Sequence, residues 1–416
     1  MPFMNLREMF RERADQPDSA YAWLRLGFAL IIGAIGGVGM WSVPVALPAV
    51  QADFGVDRGA ASLPYALVMI GVAISGVWLG RMVDKLGIAI PLTLGALAMG
   101  TGYIASSFAP NIVVYALIQG VLIGAGAAAF FAPLMADMSH WFVRRRGIAV
   151  GIVASGNYVA GAIWPKPLEY MIATSGWRAT HVAIGVVCLI TLVPLALLMR
   201  RRVSMQSPGP ANVAAFKPRA LGVSPNALTA ILCVAGIACC VAMAMPQVHI
   251  VAYCGDLGYG VTRGAEMLSV MLGFGIVSRL ASGWIADKVG GVGTLLLGST
   301  LQGVALVLYF FFDGLVSLFV ISALFGLFQG GIVPSYAIIV REYFPANQAG
   351  TRLGIIIMAT LGGMALGGWM SGAIFDFTGS YRAAFANGIA FNVLNIAIAL
   401  WLLTKPDRYQ RVLARA

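Results

Sequence analysis

The sequence consists of two halves that repeat one another, and each half contains six long apolar stretches. Asp84 and Lys85 follow the second stretch, and Asp287 and Lys288 follow the eighth, 203 residues later. A glycine stands four residues before and three residues after each of these aspartates. A repeat of this length constrains the fold more than any single motif does. Two parallel copies of a six-helix unit predict a membrane bundle with a site between the copies.

The charged residues at the other ends of the stretches repeat as well. Asp53-Phe-Gly, five residues before Arg58, matches Asp256-Leu-Gly, seven residues before Arg263. The segment Gly176-Trp-Arg178 likewise matches Ser380-Tyr-Arg382. The two halves therefore share charged residues at two places, the end of the first apolar stretch and the start of the sixth.

Composition places this repeat in a membrane. Of the 416 residues, 60% are hydrophobic and only 10% are charged, whereas a soluble domain has roughly 25% charged residues. The apolar runs reach the ~20 residues that a helix needs to cross the bilayer. We therefore predict an all-α membrane protein with twelve transmembrane helices in two pseudo-symmetric six-helix bundles, at 23–50, 60–80, 88–108, 111–137, 146–173, 178–200, 226–254, 262–286, 291–312, 315–341, 350–376 and 380–403.

The linking segments give the domain boundaries and the topology. We predict an N-terminal tail (1–22), a first bundle (23–200), a linker (201–225), a second bundle (226–403) and a C-terminal tail (404–416). Basic residues concentrate in alternate loops, which places both termini in the cytoplasm of a bacterial-type inner membrane. The net charge of +11 therefore reflects membrane topology, and no nucleic-acid partner is expected.

Glycines and prolines inside the apolar runs predict how the helices pack. Gly362, Gly363, Gly367 and Gly368 mark faces where helices touch closely, either for packing alone or to let one bundle slide on another. Pro44 and Pro48 in the first helix, and Pro246 in the seventh, remove backbone hydrogen bonds and favour bends.

The repeated loop motif predicts a conformational gate on the cytoplasmic side. Its glycines permit sharp turns, and its aspartates can accept hydrogen bonds from a helix N-terminus. The alternative is a plain tight turn with solvated charges. The gate would consist of Gly80, Arg81, Asp84, Lys85, Gly283, Asp287 and Lys288.

Several of these segments resemble known transporter families. The two loop motifs are similar to the signature of the major facilitator superfamily. The segment from His140 to Gly156, and Gly176-Trp177-Arg178, resemble the monocarboxylate transporter family. The stretch from Val248 to Gly283 is similar to the bacterial members of that family and to the oxalate/formate exchangers. The resemblance implies transport by alternating access, with Arg279 binding the carboxylate of the substrate.

Arg279 also stands out without the resemblance. It lies seven residues before the end of the eighth helix, which is ~10 Å inside the membrane. A central arginine is costly to insert, and its planar fork of donors suits a carboxylate. No acidic residue lies one turn away in the same helix. Either Arg279 binds an organic anion, or it forms a salt bridge to Asp137 or Glu342.

Other positions depart from the families. Val45 and Gly275 stand where animal-type monocarboxylate transporters have a lysine and an aspartate, which leaves proton coupling open. Residues 354–374 contain no lysine or arginine, which argues against a doubly anchored dicarboxylate. Lys166 either pairs with Glu169 at the outer interface or serves as a second cation of the outer vestibule that attracts anions or carries a coupling proton.

Weaker candidates for substrate contact are polar side chains within apolar runs. Each of them could instead form a local hydrogen bond inside the bundle. Tyr115 and Gln119 are four residues apart and so share a helix face. His181, near a helix end, is predicted to be interfacial. The candidates for substrate contact are Tyr115, Gln119, His249, Asn157 and Tyr336.

These observations favour a secondary transporter over an enzyme. The sequence contains no catalytic constellation, nucleotide-binding loop or metal-ligand cluster, so we expect no cofactor and no metal. The predicted substrate is a small organic monocarboxylate of the lactate or pyruvate kind. Exchange of organic anions, or efflux of another small molecule, is the alternative. The expected partners are this anion, a coupled proton if there is one, and the lipid bilayer, and the protein is expected to be a monomer.

Overall fold

The described chain forms long apolar helices and covers residues 17–201 and 223–405 in the computed structural model. Ten helical segments in these ranges are long and apolar enough to cross a membrane. Two of them, Gly147–Leu198 and Val261–Phe311, contain 52 and 51 residues. A continuous helix of that length would extend about 75 Å, more than twice the ~30 Å of the hydrocarbon core.

A glycine divides each of these two long segments. Gly176 has φ 78° and ψ 160°, and Gly290 has φ 74° and ψ 176°. Residues with a Cβ atom rarely adopt this backbone conformation, so glycine is required where one helix ends and the next begins. The two breaks turn ten segments into the twelve predicted crossings.

We number the crossings in chain order. The twelve helices are α1 (Ala20–Phe54), α2 (Arg58–Leu86), α3 (Ala89–Ser107), α4 (Ile112–Trp141), α5 (147–175), α6 (177–198), α7 (Pro225–Asp256), α8 (261–289), α9 (291–311), α10 (Leu315–Tyr343), α11 (Ala346–Thr378) and α12 (Tyr381–Thr404).

α1, α4 and α5 of the first half are irregular, and α5 is interrupted at Ser155 and at Trp164. α1 is interrupted at Gly37, where a Cβ atom would collide with the side chain of Ala160 on α5. Pro44, Pro48 and Pro246 lie inside continuous helices, so the interruption in α1 falls at the close contact and not at the prolines. α4 contains a π-helical turn over Gln119–Gly124. Such turns occur often at functional sites.

The two halves meet tightly at one end of the bundle. A Cβ atom on Gly372 of α11 would lie 2.7 Å from the carbonyl oxygen of Arg58 on α2. At the opposite ends of the same two helices, Gly80 and Gly354 face open space. We call the end that holds Arg58 the sealed end, and the end that holds the Asp84 and Asp287 loops the open end.

Three predicted segments fall wholly or largely outside the described ranges. They are the N-terminal tail (1–22, described from residue 17), the linker (201–225, described at 201 and from 223) and the C-terminal tail (404–416, described to residue 405).

Candidate functional site

Arg279 lies where α8 of the second half faces α5 of the first half. Its guanidinium carbon is 4.9 Å from the centroid of the Tyr158 ring. Its Nε atom is buried and has no hydrogen-bond partner among the described residues. The cation thus rests on an aromatic face at the boundary between the halves, and its donors are available for a ligand.

The two acids that could have neutralised Arg279 are bound elsewhere. The Asp137 carboxylate accepts hydrogen bonds from Arg25 Nε at 2.8 Å and from Arg25 Nη2 at 3.0 Å. Glu342 Oε1 accepts a hydrogen bond from the backbone N–H of Gly291 at 2.9 Å. The predicted alternative, a salt bridge to one of these acids, is therefore wrong.

The Arg25–Asp137 pair itself was not foreseen from the sequence. Arg25 is fully buried, and its Nη2 also donates to the carbonyl oxygen of Met199 at 3.0 Å. Its guanidinium lies 4.8 Å from the Trp141 ring centroid. The pair joins α1 to α4, and its partner could not be read from local spacing because 112 residues separate the two side chains.

Two further buried donors have no partner among the described residues. Gln247 Nε2 on α7 donates to Gln329 Oε1 on α10 at 2.8 Å, whereas Gln329 Nε2 is buried without a partner. The Tyr65 hydroxyl on α2 is also buried and unpaired, and its ring contacts Gly368 of α11. Buried polar groups are normally hydrogen-bonded, so each of these unpaired donors is a candidate contact for a polar ligand. Tyr65 was not among the predicted site residues.

Asn157 has a structural partner close to this boundary. Its backbone carbonyl oxygen accepts from Trp41 Nε1 at 2.9 Å, and its Oδ1 lies 3.2 Å from the same nitrogen. Asn157 directly precedes Tyr158 and therefore ties the helix that supports Arg279 to α1.

Tyr115 and Gln119 face α6, within the first half. The Tyr115 hydroxyl lies 3.0 Å from His181 Nε2, and Gln119 Nε2 lies 3.4 Å from the same nitrogen. His181 is buried, with its Nδ1 2.8 Å from the carbonyl oxygen of Trp177. The prediction that His181 is interfacial is wrong, because aromatic rings from α3, α4 and α6 enclose it.

His249 and Tyr336 are bonded within the second half. His249 Nε2 lies 2.8 Å from the carbonyl oxygen of Gly368, and its Nδ1 has no partner. The Tyr336 hydroxyl lies 3.5 Å from Asn395 Oδ1, and Asn395 Nδ2 donates to Ser299 Oγ at 2.7 Å. The hydroxyl of Tyr336 thus belongs to a polar network that joins α10, α12 and α9.

Lys166 pairs across the halves and not with Glu169. Its Nζ is 3.4 Å from Glu266 Oε1 on α8, while Glu169 Oε1 accepts from Thr262 Oγ1 at 2.7 Å. The predicted pairing with Glu169 is therefore wrong, because residues of α8 lie closer than the next turn of α5. A cavity of about 680 Å³ adjoins Lys166 between α5 and α8, but Arg279 does not line it.

A second polar cluster closes the sealed end. Arg58 donates from Nη1 and Nη2 to the Asp256 carboxylate of α7 at 2.9 and 3.2 Å, and also to the Tyr381 hydroxyl of α12. The Asp376 carboxylate of α11 accepts the backbone N–H groups of Arg58 and Gly59 at 2.9 and 2.6 Å. One half thus caps the N-terminus of a helix of the other half, where the helix dipole favours an anion.

The predicted gate residues lie at the open end. Arg81, Lys85, Asp287 and Lys288 are exposed, and Gly80 and Gly283 face open space. Lys288 Nζ lies 3.7 Å from the Trp284 ring centroid. The side chain of Asp84 is outside the described part of the chain. The gate stays a prediction for the conformation in which this end closes.

The sequence profile described as Major Facilitator Superfamily matches residues 29–321 and 294–415, which together include most of both halves. The chain belongs to the Major Facilitator Superfamily. Members of this superfamily carry small molecules, so the protein is a multi-pass membrane transporter and not an enzyme.

Relatives within the superfamily point to one branch. Monocarboxylate transporter 13 of Rattus norvegicus is 26% identical over 405 residues, covering 94% of this chain and 91% of its own. Monocarboxylate transporter 11 of Mus musculus is 27% identical over 407 residues, covering 89% of this chain and 85% of its own. The resemblance to monocarboxylate transporters thus extends over almost the whole length.

A solved structure shows the same superfamily fold. A point mutant of the nucleoside transporter NupG superimposes with a TM-score of 0.70 at 13% identity, covering 91% of this chain and 99% of its own.

Proposed function

We propose that this transporter binds a small organic monocarboxylate at Arg279 and moves it across the membrane by alternating access. The observation that carries the proposal is a guanidinium at the boundary between the halves that has no acid partner among the described residues. A partly buried cation that no described residue neutralises gains from an anionic ligand, because part of its desolvation cost is already met in the folded protein.

The number of charges in the site supports a single carboxylate. The fork of Arg279 can donate two parallel hydrogen bonds to one carboxylate. Residues 354–374 of α11 supply no second cation. Gln329 Nε2 is buried and unpaired among the described residues, and the next residue, Gly330, donates to Ser278 Oγ beside Arg279. Gln329 therefore suits a neutral oxygen on the same substrate, such as the hydroxyl or keto group of lactate or pyruvate. The relatives named as monocarboxylate transporters favour the same substrate class.

The orientation of the protein in the membrane follows from the basic residues of the motif loops and from the position of the sealed end. The motif loops at the open end carry basic residues, and the positive-inside rule assigns them to the cytoplasm. The sealed end then faces away from the cytoplasm, in a bacterial-type inner membrane. Opposed rocking of the halves exposes Arg279 first to one side and then to the other, in a monomer.

The test is substrate binding by purified Arg279→Ala and Arg279→Lys variants. A hydrogen-bonded ionic contact is worth about 1.5–3 kcal/mol, so we expect Arg279→Ala to weaken lactate or pyruvate binding about tenfold to a hundredfold. Arg279→Lys keeps the charge but loses the fork, so its loss is smaller. Arg341→Ala, which removes an exposed arginine of α10, serves as the matched control and keeps full affinity.

Transport assays separate the coupling modes. Uptake of radiolabelled lactate or pyruvate into proteoliposomes is measured with and without a pH gradient, and with and without internal anion. Stimulation by the pH gradient identifies proton symport, and stimulation by internal anion identifies exchange. Binding of every tested acid that is unchanged by Arg279→Ala contradicts the assignment of the site.

A further inference from the structure

The two halves use equivalent charges differently at the sealed end. Asp53, at the end of α1, and Arg178, at the start of α6, form an ion pair of 2.9 Å within the first half. Their repeat equivalents in the second half are Asp256, at the end of α7, and Arg382, at the start of α12. These two are not paired, because Asp256 bonds to Arg58 of the other half.

As a result, Arg382 does not have the partner that its repeat equivalent, Arg178, has. The acid closest to Arg382 is Asp313, at 3.5 Å, and both side chains are more than half exposed. An exposed pair at that distance contributes little. Arg178, by contrast, also donates to the carbonyl oxygens of Ser107 and Ala109. In the first half the aspartate and the arginine are therefore paired with each other. In the second half the equivalent aspartate and arginine are both present but bind different partners.

We propose that Asp256 exchanges partners during the transport cycle. It binds Arg58 when this end is sealed, and Arg382 when this end opens, in the arrangement that Asp53 and Arg178 already adopt. The inference rests on the proposed alternating access, and it assigns to Arg382 a role in the open state that its present contacts do not reveal.

The exchange has a physical reason. When the halves part, Asp256 loses a two-point ionic contact with Arg58, and an unpaired carboxylate would make the open state costly. A new partner from the same half removes much of that cost. The two states then differ little in energy, which lets a ligand of modest differential affinity shift the population.

The experiment measures the width of the sealed end in protein without substrate. Spin labels are attached to Phe108→Cys, between α3 and α4, and Val316→Cys, on the first turn of α10, which are 76% and 77% exposed and lie outside the cluster. The five native cysteines are replaced by alanine. The distance distribution reports the ratio of sealed to open molecules.

The two arginine variants are expected to act in opposite directions. Arg58→Gln removes the partner of the sealed state and shifts the ratio about tenfold toward long distances, as expected for loss of an ionic hydrogen bond. Arg382→Gln removes the partner of the open state and shifts the ratio toward short distances by a smaller factor, up to about fivefold, because the pair corresponds to the exposed Asp53–Arg178 pair. Both substitutions remove one positive charge, so an effect of net charge alone would shift the ratio in the same direction in both variants.

Three controls isolate Asp256. Arg178→Gln removes the repeat equivalent of Arg382 and leaves the ratio unchanged, because its pair stays within one half. Asp313→Asn removes the present partner of Arg382 and does not shift the ratio toward short distances. In an Asp256→Asn background, the shift caused by Arg382→Gln disappears.

The proposal is overturned if Arg382→Gln leaves the ratio unchanged, or shifts it in the same direction as Arg58→Gln. Arg382 is exposed, so its variant remains informative even if Arg58→Gln does not fold. No substrate enters this measurement, so its failure leaves the assignment of Arg279 intact. Loss of the Arg279 assignment likewise leaves the exchange testable.

Discussion

At the scale of single residues, Arg25 and Arg279 both lie within apolar helices, but the protein accommodates their charges in different ways. Arg25 is fully buried and meets its desolvation cost with a carboxylate, a carbonyl oxygen and an aromatic ring. Arg279 lies over the ring of Tyr158, and none of the described acidic residues pairs with it. The sequence indicated that Arg279 matters, but not which acids were available, because each candidate acid had a partner distant in the chain.

The Arg25–Asp137 pair leads to a prediction about stability. Asp137→Asn leaves a buried arginine without its counter-charge, which is expected to cost about 3–5 kcal/mol. Asp53→Asn is the matched control, because it breaks an exposed pair worth about 0–1 kcal/mol. Thermal unfolding in detergent should show a large decrease in midpoint for Asp137→Asn and a small one for Asp53→Asn. Equal decreases would refute a structural role for the buried pair.

At the scale of helices, the glycines of α11 serve two neighbours. Gly363 and Gly367 approach the backbone of α7, while Gly368 and Gly372 approach α2 of the other half. The sequence predicted close contact for Gly362 as well, which is wrong because a Cβ atom there meets nothing within 4 Å, and it could not divide the other glycines between partners. The helix breaks were easier to predict: the predicted ends at 173 and 286 lie within four residues of Gly176 and Gly290, because a turn between antiparallel helices needs a glycine there.

The contact between α2 and α11 leads to a prediction about the seal. A methyl group on Gly372 would meet the backbone of Arg58 and the Ser62 hydroxyl, so Gly372→Ala should separate the two helices and favour opening. Gly362→Ala, on the same helix, meets nothing within 4 Å and is the control. The label pair at Phe108 and Val316 should report longer distances for Gly372→Ala alone. An unchanged distance distribution would show that the contact between α2 and α11 tolerates the methyl group.

At the scale of the whole molecule, the sequence predicted the architecture well and the conformation not at all. Hydropathy and the internal repeat were sufficient for twelve crossings in two halves. Contacts between the halves depend on which end of the bundle is closed, and the internal repeat carries no information about which end that is. This explains why Glu266 was missed as the partner of Lys166, and why the Arg58 cluster was missed altogether, since its partners are about 200 or more residues away.

The proposed orientation can be tested by labelling. In a background without the five native cysteines, a membrane-impermeant thiol reagent should modify Lys85→Cys only in inverted vesicles. It should modify Phe108→Cys only in right-side-out vesicles, because this residue lies at the sealed end. The two positions control for each other, and the reverse pattern would invert the assigned topology.

The cap that Asp376 provides for α2 has a consequence for hydration. While the halves touch, its carboxylate satisfies two backbone N–H groups that no residue of α2 itself can satisfy. Once the halves separate, both the carboxylate and those N–H groups must find other partners, and water is the only one present in quantity. Parting of the halves at this end therefore requires water to enter between α2 and α11 as the contact breaks.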